Sequence, residues 1–347
     1  MNPESIEFLK HLIDKISPSG YEKEATEYWK SRTKEFTDKI SCDVHGNCIG
    51  VLNPEGKPTI MLAGHIDEIG YMVKYIDEDG FIYFVTIGGI DLHLVPGQRV
   101  WIKNRAGKRI TGVIGKKPAH LLEETEKKQI ATIDQLCIDI GTNSEEETRK
   151  LVEIGDVAVP AVAFERLNDD IAIARGFDDR AGAFVVSETL RRLSETRTKA
   201  SVYGVATVQE EIGLRGAKTS AYGISPDIGI AIDVTFATDY PQMEKKKAGD
   251  IKIGGGPVIA RGPNMTHDIT DRLIEVAKEN NIPYQIEAIP RGTGTDANVI
   301  QLTKAGVATG LVSIPLRYMH TPVELLSLTD LDNVSKLLAA FISRVSS

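Results

Sequence analysis

The sequence predicts an α/β protein: a mixed, largely parallel sheet with helices on both faces, plus an inserted small β-domain. Two observations carry this. Strongly apolar strand-like runs, Ile228 to Val234 the clearest, alternate with amphipathic helical stretches near both ends of the chain; apolar strands between helices belong to sheets covered on both sides. From about Gly70 to Phe164 the texture changes to short β-rich stretches broken by Gly and Pro, with no long amphipathic helix. With 347 residues the chain has room for two domains. The reading therefore divides it into a discontinuous main domain, residues 1–69 and 165–347, and an insert, residues 70–164.

The elements follow in order. Ile6, Leu9, Ile13 and Ile16 recur at helical spacing, with Pro3 near the start and Pro18 and Gly20 as the stop. A second helix is expected from Tyr21 to Phe36, then strands from Gly46 to Leu52 and Thr59 to Ala63. In the insert, Phe81 to Val85 and Arg99 to Ile102 read as strands of a barrel-like domain, and the acidic run Glu145-Glu146-Glu147 as a solvated helix start. Beyond Glu165 come a helix from Asp178 to Leu193, strands from Ala200 to Val208 and Ile228 to Val234, and a helix from Thr266 to Asn280. A helix from Ala297 to Lys304, a strand from Val307 to Ser313 and an amphipathic helix from Leu328 to Val345 close the chain.

Composition excludes several classes. Lys+Arg is 41 against 49 Asp+Glu, a formal net charge of -8, so no nucleic-acid partner is expected. No apolar run approaches the ~18 residues of a membrane span, and the N-terminus lacks a signal-peptide pattern. The expectation is a cytoplasmic protein with no membrane association. Cys42, Cys48 and Cys137 lack CxxC spacing and read as reduced thiols. Nucleotide-loop, GxSxG and HExxH motifs are absent, and Gly254-Gly255-Gly256 reads as a turn.

The chemistry lies in where acids and imidazoles fall. His65 and Asp67 follow the Thr59 strand, Glu210 and Glu211 follow the Ala200 strand, and Asp233 ends the Ile228 strand. Asp178 and Asp179 open a helix, and His320 follows the Val307 strand. Strand carboxyl ends in an open α/β sheet share one crevice. Any one of these acids alone reads as a cap or a surface charge. Two Glu beside a buried strand end, however, call for a neutralising cation. Imidazole plus carboxylate suits Zn²⁺ or Co²⁺, and five such ligands suffice for two ions sharing one carboxylate, with a further carboxylate free to take a proton. The other five His (His11, His45, His93, His120 and His267) read as surface or turn residues.

Five ordered motifs carry a resemblance. They are Ala63-Gly64-His65-Ile66-Asp67-Glu68-Ile69-Gly70, Phe177-Asp178-Asp179-Arg180-Ala181-Gly182, Val208-Gln209-Glu210-Glu211-Ile212-Gly213, Ile232-Asp233-Val234 and Arg317-Tyr318-Met319-His320-Thr321-Pro322. Together with Ser17 to Glu22 and Gly294-Thr295-Asp296-Ala297, they resemble those of the tetrahedral (TET-type) dinuclear aminopeptidases, a family that includes glutamyl and leucyl aminopeptidases and members once labelled cellulases. The resemblance covers essentially the whole chain. It implies a zinc-exopeptidase-like metallopeptidase domain and a dimerising insert, with six dimers forming a hollow dodecamer. It implies two divalent ions (Zn or Co) per subunit, His65 and Asp233 on one, Glu211 and His320 on the other, and Asp178 on both. Glu210 is the implied general base, and Asp67 the orienter of His65.

The leading expectation is an aminopeptidase that trims short peptides. The alternatives are a β-glycanase, which uses two carboxylates and usually no metal, a related carboxypeptidase or amidohydrolase, and a binding protein with a degenerate site. Specificity is read from the loops after Asp233 and from Pro290 to Asn298. Phe236, with Val234 and Ala237, suggests an apolar pocket for aliphatic N-terminal residues, and Thr295 lies in the same loops. Arg291, if it faces the pocket, would instead select Glu or Asp.

Overall fold

Alternation along the central strands explains the layers. In the strand Thr59–His65, Ile60 and Leu62 join one apolar core while Met61 and Ala63 join another. Ile230 and Ile232 against Ala231, and Val312 and Ile314 against Leu311, repeat the pattern in the next strands. The first core is closed by the helices Pro3–Asp14, Lys23–Thr33, Phe177–Thr196, His267–Glu279 and Leu328–Val345. The second is closed by Arg215–Ile224 and Ala297–Ile300. In the computed structural model, residues 1–125, 128–196 and 198–345 are described. The sheet has eight strands, in the order Lys39–Cys42, Cys48–Leu52, Ser201–Thr207, Thr59–His65, Ile228–Phe236, Ala308–Leu316, Val258–Arg261 and Gln285–Ala288. Its middle four run parallel. The first two strands and the Val258–Arg261 contact with Ala308–Leu316 are antiparallel.

At Gly64, a side chain would strike the backbone of Gly182, whose carbonyl carbon lies 2.5 Å from the would-be Cβ. This close approach seats the Phe177–Thr196 helix directly on the strand that ends in His65.

The strands between Gly70 and Pro160 close a barrel in the order Gly70–Ile76, Ile82–Ile87, Cys137–Asp139, Arg109–Gly115, Arg99–Lys103 and Val157–Pro160. It has its own core, including Tyr71, Phe84, Ile102 and Ile138. Ile16, Ile87, Val157 and Val159 form an apolar seam to the N-terminal segment, and Lys103 pairs with Glu24 at 2.9 Å. A third, small sheet joins Glu165–Arg166, Ile171–Ala174 and Glu324–Ser327. Among the described residues, no helix is long and apolar enough to cross a membrane.

Some expectations shift locally. The strand expected from Gly46 starts at Cys48, because the Asp43 carboxylate accepts from the amides of His45, Gly46 and Asn47 and holds a turn there. The helix expected to reach Lys304 stops at Ile300; Lys304 takes a positive φ of 53°, which a helix cannot continue through. The helix Arg215–Ile224 carries no apolar stripe in the sequence, because it buries only small residues, Gly216, Ala217, Ser220 and Ala221.

Candidate active site

His65 is the last residue of its strand, and Asp233 lies within Ile228–Phe236. Glu210 and Glu211 follow Ser201–Thr207. Asp178 sits at the head of the long helix, where it and Asp179 depart from helical φ/ψ. His320 follows Ala308–Leu316 in a turn where it and Tyr318 both take positive φ. Parallel strands therefore deliver side chains from distant parts of the sequence to one sheet end.

The Asp178 carboxylate is the meeting point. Its Oδ1 is 3.1 Å from His65 Nε2 and its Oδ2 is 3.2 Å from His320 Nε2. Glu211 Oε1 lies 3.5 Å from His320 Nε2, and Glu210 Oε2 lies 3.8 Å from His65 Nε2. Two groups of donors able to hold a metal ion share Asp178: His65, Asp178 and Asp233, and Asp178, Glu211 and His320. A third group joins His65 to Glu210 and Glu211.

A second layer fixes these donors, and sequence reading missed most of it. His320 Nδ1 donates to the Gly89 carbonyl at 2.9 Å, so a loop of the barrel sets the ring's orientation and leaves Nε2 free. His65 Nδ1 donates to the Asp67 carbonyl at 3.3 Å, with the Asp67 carboxylate at 3.5 Å. That carboxylate also accepts from the amides of Glu210, at 3.1 Å, and Glu211, at 3.2 Å, and from the Ser19 hydroxyl. Glu22 accepts from the Gln209 amide at 3.1 Å. Residues 19–22 thus clamp the turn that carries both glutamates. Buried Glu324 accepts from the amides of Asp178 and His320, each at 3.1 Å. Buried Asp179 accepts from the His65 amide at 3.1 Å. Asp296 accepts from Thr207 Oγ1 at 2.6 Å, and its other oxygen has no partner among the described residues.

Electrostatics shows what the cluster would accept. Burial pushes Glu210 up to about 10, with Asp233 adding to the push against the pull of His65. Burial, then Asp178, pushes Glu211 up to about 8, and burial likewise raises Asp233 to about 8. For Asp178 burial is outweighed by the two imidazoles, which hold it well below the carboxylate range. Burial also disfavours charge on His65, yet Glu210, Asp178 and Asp67 hold its pKa well above the imidazole range. The Asp178 hydrogen bond raises His320 to about 9. Carboxylates that resist ionisation around shared imidazoles are the signature of a pocket built for added positive charge, and the donor set fits divalent metal.

A cleft opens beside the cluster, lined by Val234, Phe236, Glu287, Arg291, Thr295 and Met319 among others. Phe236 is 58% exposed towards it. Arg291 is exposed as well. Glu287, not singled out from the sequence, accepts from Thr235 Oγ1 at 2.9 Å. Its carboxyl is raised by burial.

Comparison with known proteins agrees in family. The M42 glutamyl aminopeptidase family matches residues 46–337. The lysyl aminopeptidase of Pyrococcus furiosus is 39% identical, over 98% of this chain and 97% of its own length. The TET aminopeptidase of a marine sediment Thaumarchaeota archaeon superposes with a TM-score of 0.94 at 36% identity, covering 99% of this chain and 97% of that one. The TET1 peptidase of Pyrococcus horikoshii can assemble into a tetrahedron or a large octahedral shell. It superposes at 0.87 with 34% identity, over 97% of this chain and 99% of its own.

Proposed function

Because the chain belongs to the M42 glutamyl aminopeptidase family, we propose that it removes N-terminal residues from short peptides with two divalent ions, zinc or cobalt, per subunit. The observation that carries this reading is the single Asp178 carboxylate held between two imidazoles at 3.1 and 3.2 Å. His65 and Asp233 would hold one ion, Glu211 and His320 the other, and Asp178 both. When bound, such ions acidify water and polarise a peptide carbonyl. Glu210 stands beside the cluster and binds no metal in this scheme. Its Oε2 takes the proton from the attacking water and hands it to the leaving amine. Burial raises this carboxyl's affinity for a proton in the metal-free cluster, and the added positive charge of two ions would lower it again into the range of a working base. Asp67 holds His65 on one side and the Glu210-Glu211 turn on the other.

The cleft walls support a preference for neutral, aliphatic N-terminal residues. Phe236 and Val234 offer apolar surface, while Glu287 shares the cleft with Arg291 and Lys247, so its walls carry both signs of charge. The preference is broad, since a methylene changes rates only about 10–200-fold. The test is kcat/KM for Leu-, Glu- and Lys-anilides beside N-acetylated controls, with wild type and Arg291→Ala. Leu leads and acetylation abolishes turnover if the reading holds. Hydrolysis of the acetylated substrates removes the aminopeptidase reading. A strong Glu preference that vanishes in Arg291→Ala makes this a glutamyl enzyme with Arg291 as selector.

The barrel is the proposed dimerisation unit, six dimers making a dodecamer in the cytoplasm. Assembly of the P. horikoshii peptidase into shells supports this. A light-scattering mass of one chain at micromolar concentration contradicts it.

A further inference from the structure

At the opposite edge of the sheet, a second pair of reactive side chains has no place in the peptidase chemistry. Cys42 and Cys48 stand directly opposite each other where Lys39–Cys42 pairs antiparallel with Cys48–Leu52. One step further out, the Asp43 amide donates to the Asn47 carbonyl at 3.0 Å, making that pair hydrogen-bonded. The ladder alternates, so the cysteine pair is of the non-hydrogen-bonded kind, with Cα atoms about 4.5 Å apart. Disulfides span Cα separations of roughly 4.4–6.8 Å.

The two sulfurs differ in access. Cys42 is exposed and Cys48 is buried. The Lys30 ammonium lies close enough to Cys42 to be raised first by that thiol and then by Glu27. Asn47, in the turn between the two cysteines, accepts from the Val208 amide at 3.1 Å and donates to Thr219 Oγ1 at 3.0 Å. The turn therefore ties the sheet edge to the segment leading into Glu210.

We propose that Cys42 and Cys48 form a peroxide-reactive dithiol site that closes reversibly into a cross-strand disulfide and pins this hairpin. In the first step the Cys42 thiolate attacks a peroxide oxygen. An S–O bond forms, the O–O bond breaks, and the departing hydroxide takes a proton to leave as water. In the second, the Cys48 sulfur attacks the sulfenic sulfur of Cys42. The S–S bond forms, the S–O bond breaks, and the Cys48 proton leaves with the hydroxyl as a second water. Two thiols are oxidised and one hydrogen peroxide is reduced to two waters. The cross-link then restricts the unfolded chain and stabilises the hairpin.

The experiment treats the full-length protein briefly with hydrogen peroxide, blocks free thiols, and maps peptides by mass spectrometry alongside thermal melting. The expected result is a linked Cys42–Cys48 peptide, an alkylatable Cys137, reversal by a dithiol reductant, and a melting temperature raised by about 2–4 °C. Cys42→Ser, on the exposed side of the pair, leaves Cys48 reduced and removes the shift. A sulfenic or sulfinic Cys42 beside an alkylatable Cys48, or an intermolecular link through Cys42, overturns the site. A linked peptide with an unchanged melting temperature overturns the pinning role.

Discussion

At the carboxyl ends of the central strands, Asp178, Glu210, Glu211 and Asp233 crowd around two imidazoles, and burial drives three of those four carboxyls far above their ordinary range. In the barrel, the buried cluster includes Tyr71, Val73, Phe84, Val100, Ile102 and Ile138, a core that needs no counter-ion. The main domain thus carries an electrostatic cost that a bound cation relieves, while the barrel packs its paired strands around an apolar core. The barrel touches the cluster through the Gly89 carbonyl, which accepts from His320 Nδ1. The barrel therefore reaches into the cluster, because its Gly89 carbonyl orients the His320 ring.

The largest effect expected from breaking this contrast is at Asp178. Asp178→Asn removes the group shared by both donor sets and drops activity below about one part in 10⁴, beyond what losing a general base alone costs. Steady-state kinetics with metal in excess checks it. Glu210→Gln comes next, with kcat down about 10²–10⁴-fold and metal content near wild type; normal turnover in a metal-replete variant removes Glu210 from the reaction. Gly89→Ala reaches the cluster from the barrel. Its Cβ would lie 3.3 Å from His320 Nδ1, so metal affinity falls by about 10–100-fold, the scale of a lost supporting contact. Unchanged affinity by competition with a chelator would show that the barrel has no say in the site.

The smallest effect is on the pH dependence of metal-free stability. Glu211 and Asp233 titrate at about 8 in the folded protein and Glu210 at about 10, against ordinary values of 4.5 and 3.8. The native state therefore holds more protons than the unfolded chain above pH 4, and stability falls as pH rises towards 8–10. His65 and His320 act in the same direction. Their contribution is full below 6.5 and is lost as pH rises, for His320 through about 9. The melting temperature of stripped protein should fall from pH 5 to 9, and metal should flatten the profile. A rising profile would contradict the electrostatic account.

Much of this was legible in the sequence because strand periodicity fixes which ends face the crevice. His65, Glu210, Glu211, Asp233 and His320 each follow or end an apolar run, and that placement alone brought them together. The supporting layer was not legible. Glu324 sits on a short strand whose partner, Ile171–Ala174, is remote in sequence, and Gly89 acts through a backbone carbonyl, which no residue type advertises. Glu287 lies on an edge strand paired only through Val258–Arg261, without an apolar run to mark it. Ser19 and Glu22 stood inside a recognised motif, but only their hydrogen bonds to Asp67 and the Gln209 amide show what they hold.

Metal stoichiometry decides whether the acidic cluster is a two-ion site hinged on Asp178. Stripped wild-type protein is reloaded with Zn²⁺ or Co²⁺, freed of excess ion, and measured by elemental analysis while peptide hydrolysis is followed. The account predicts two ions per chain, activity that tracks occupancy, and loss of both ions in Asp178→Asn. Full activity in protein that holds no stoichiometric transition metal would contradict it.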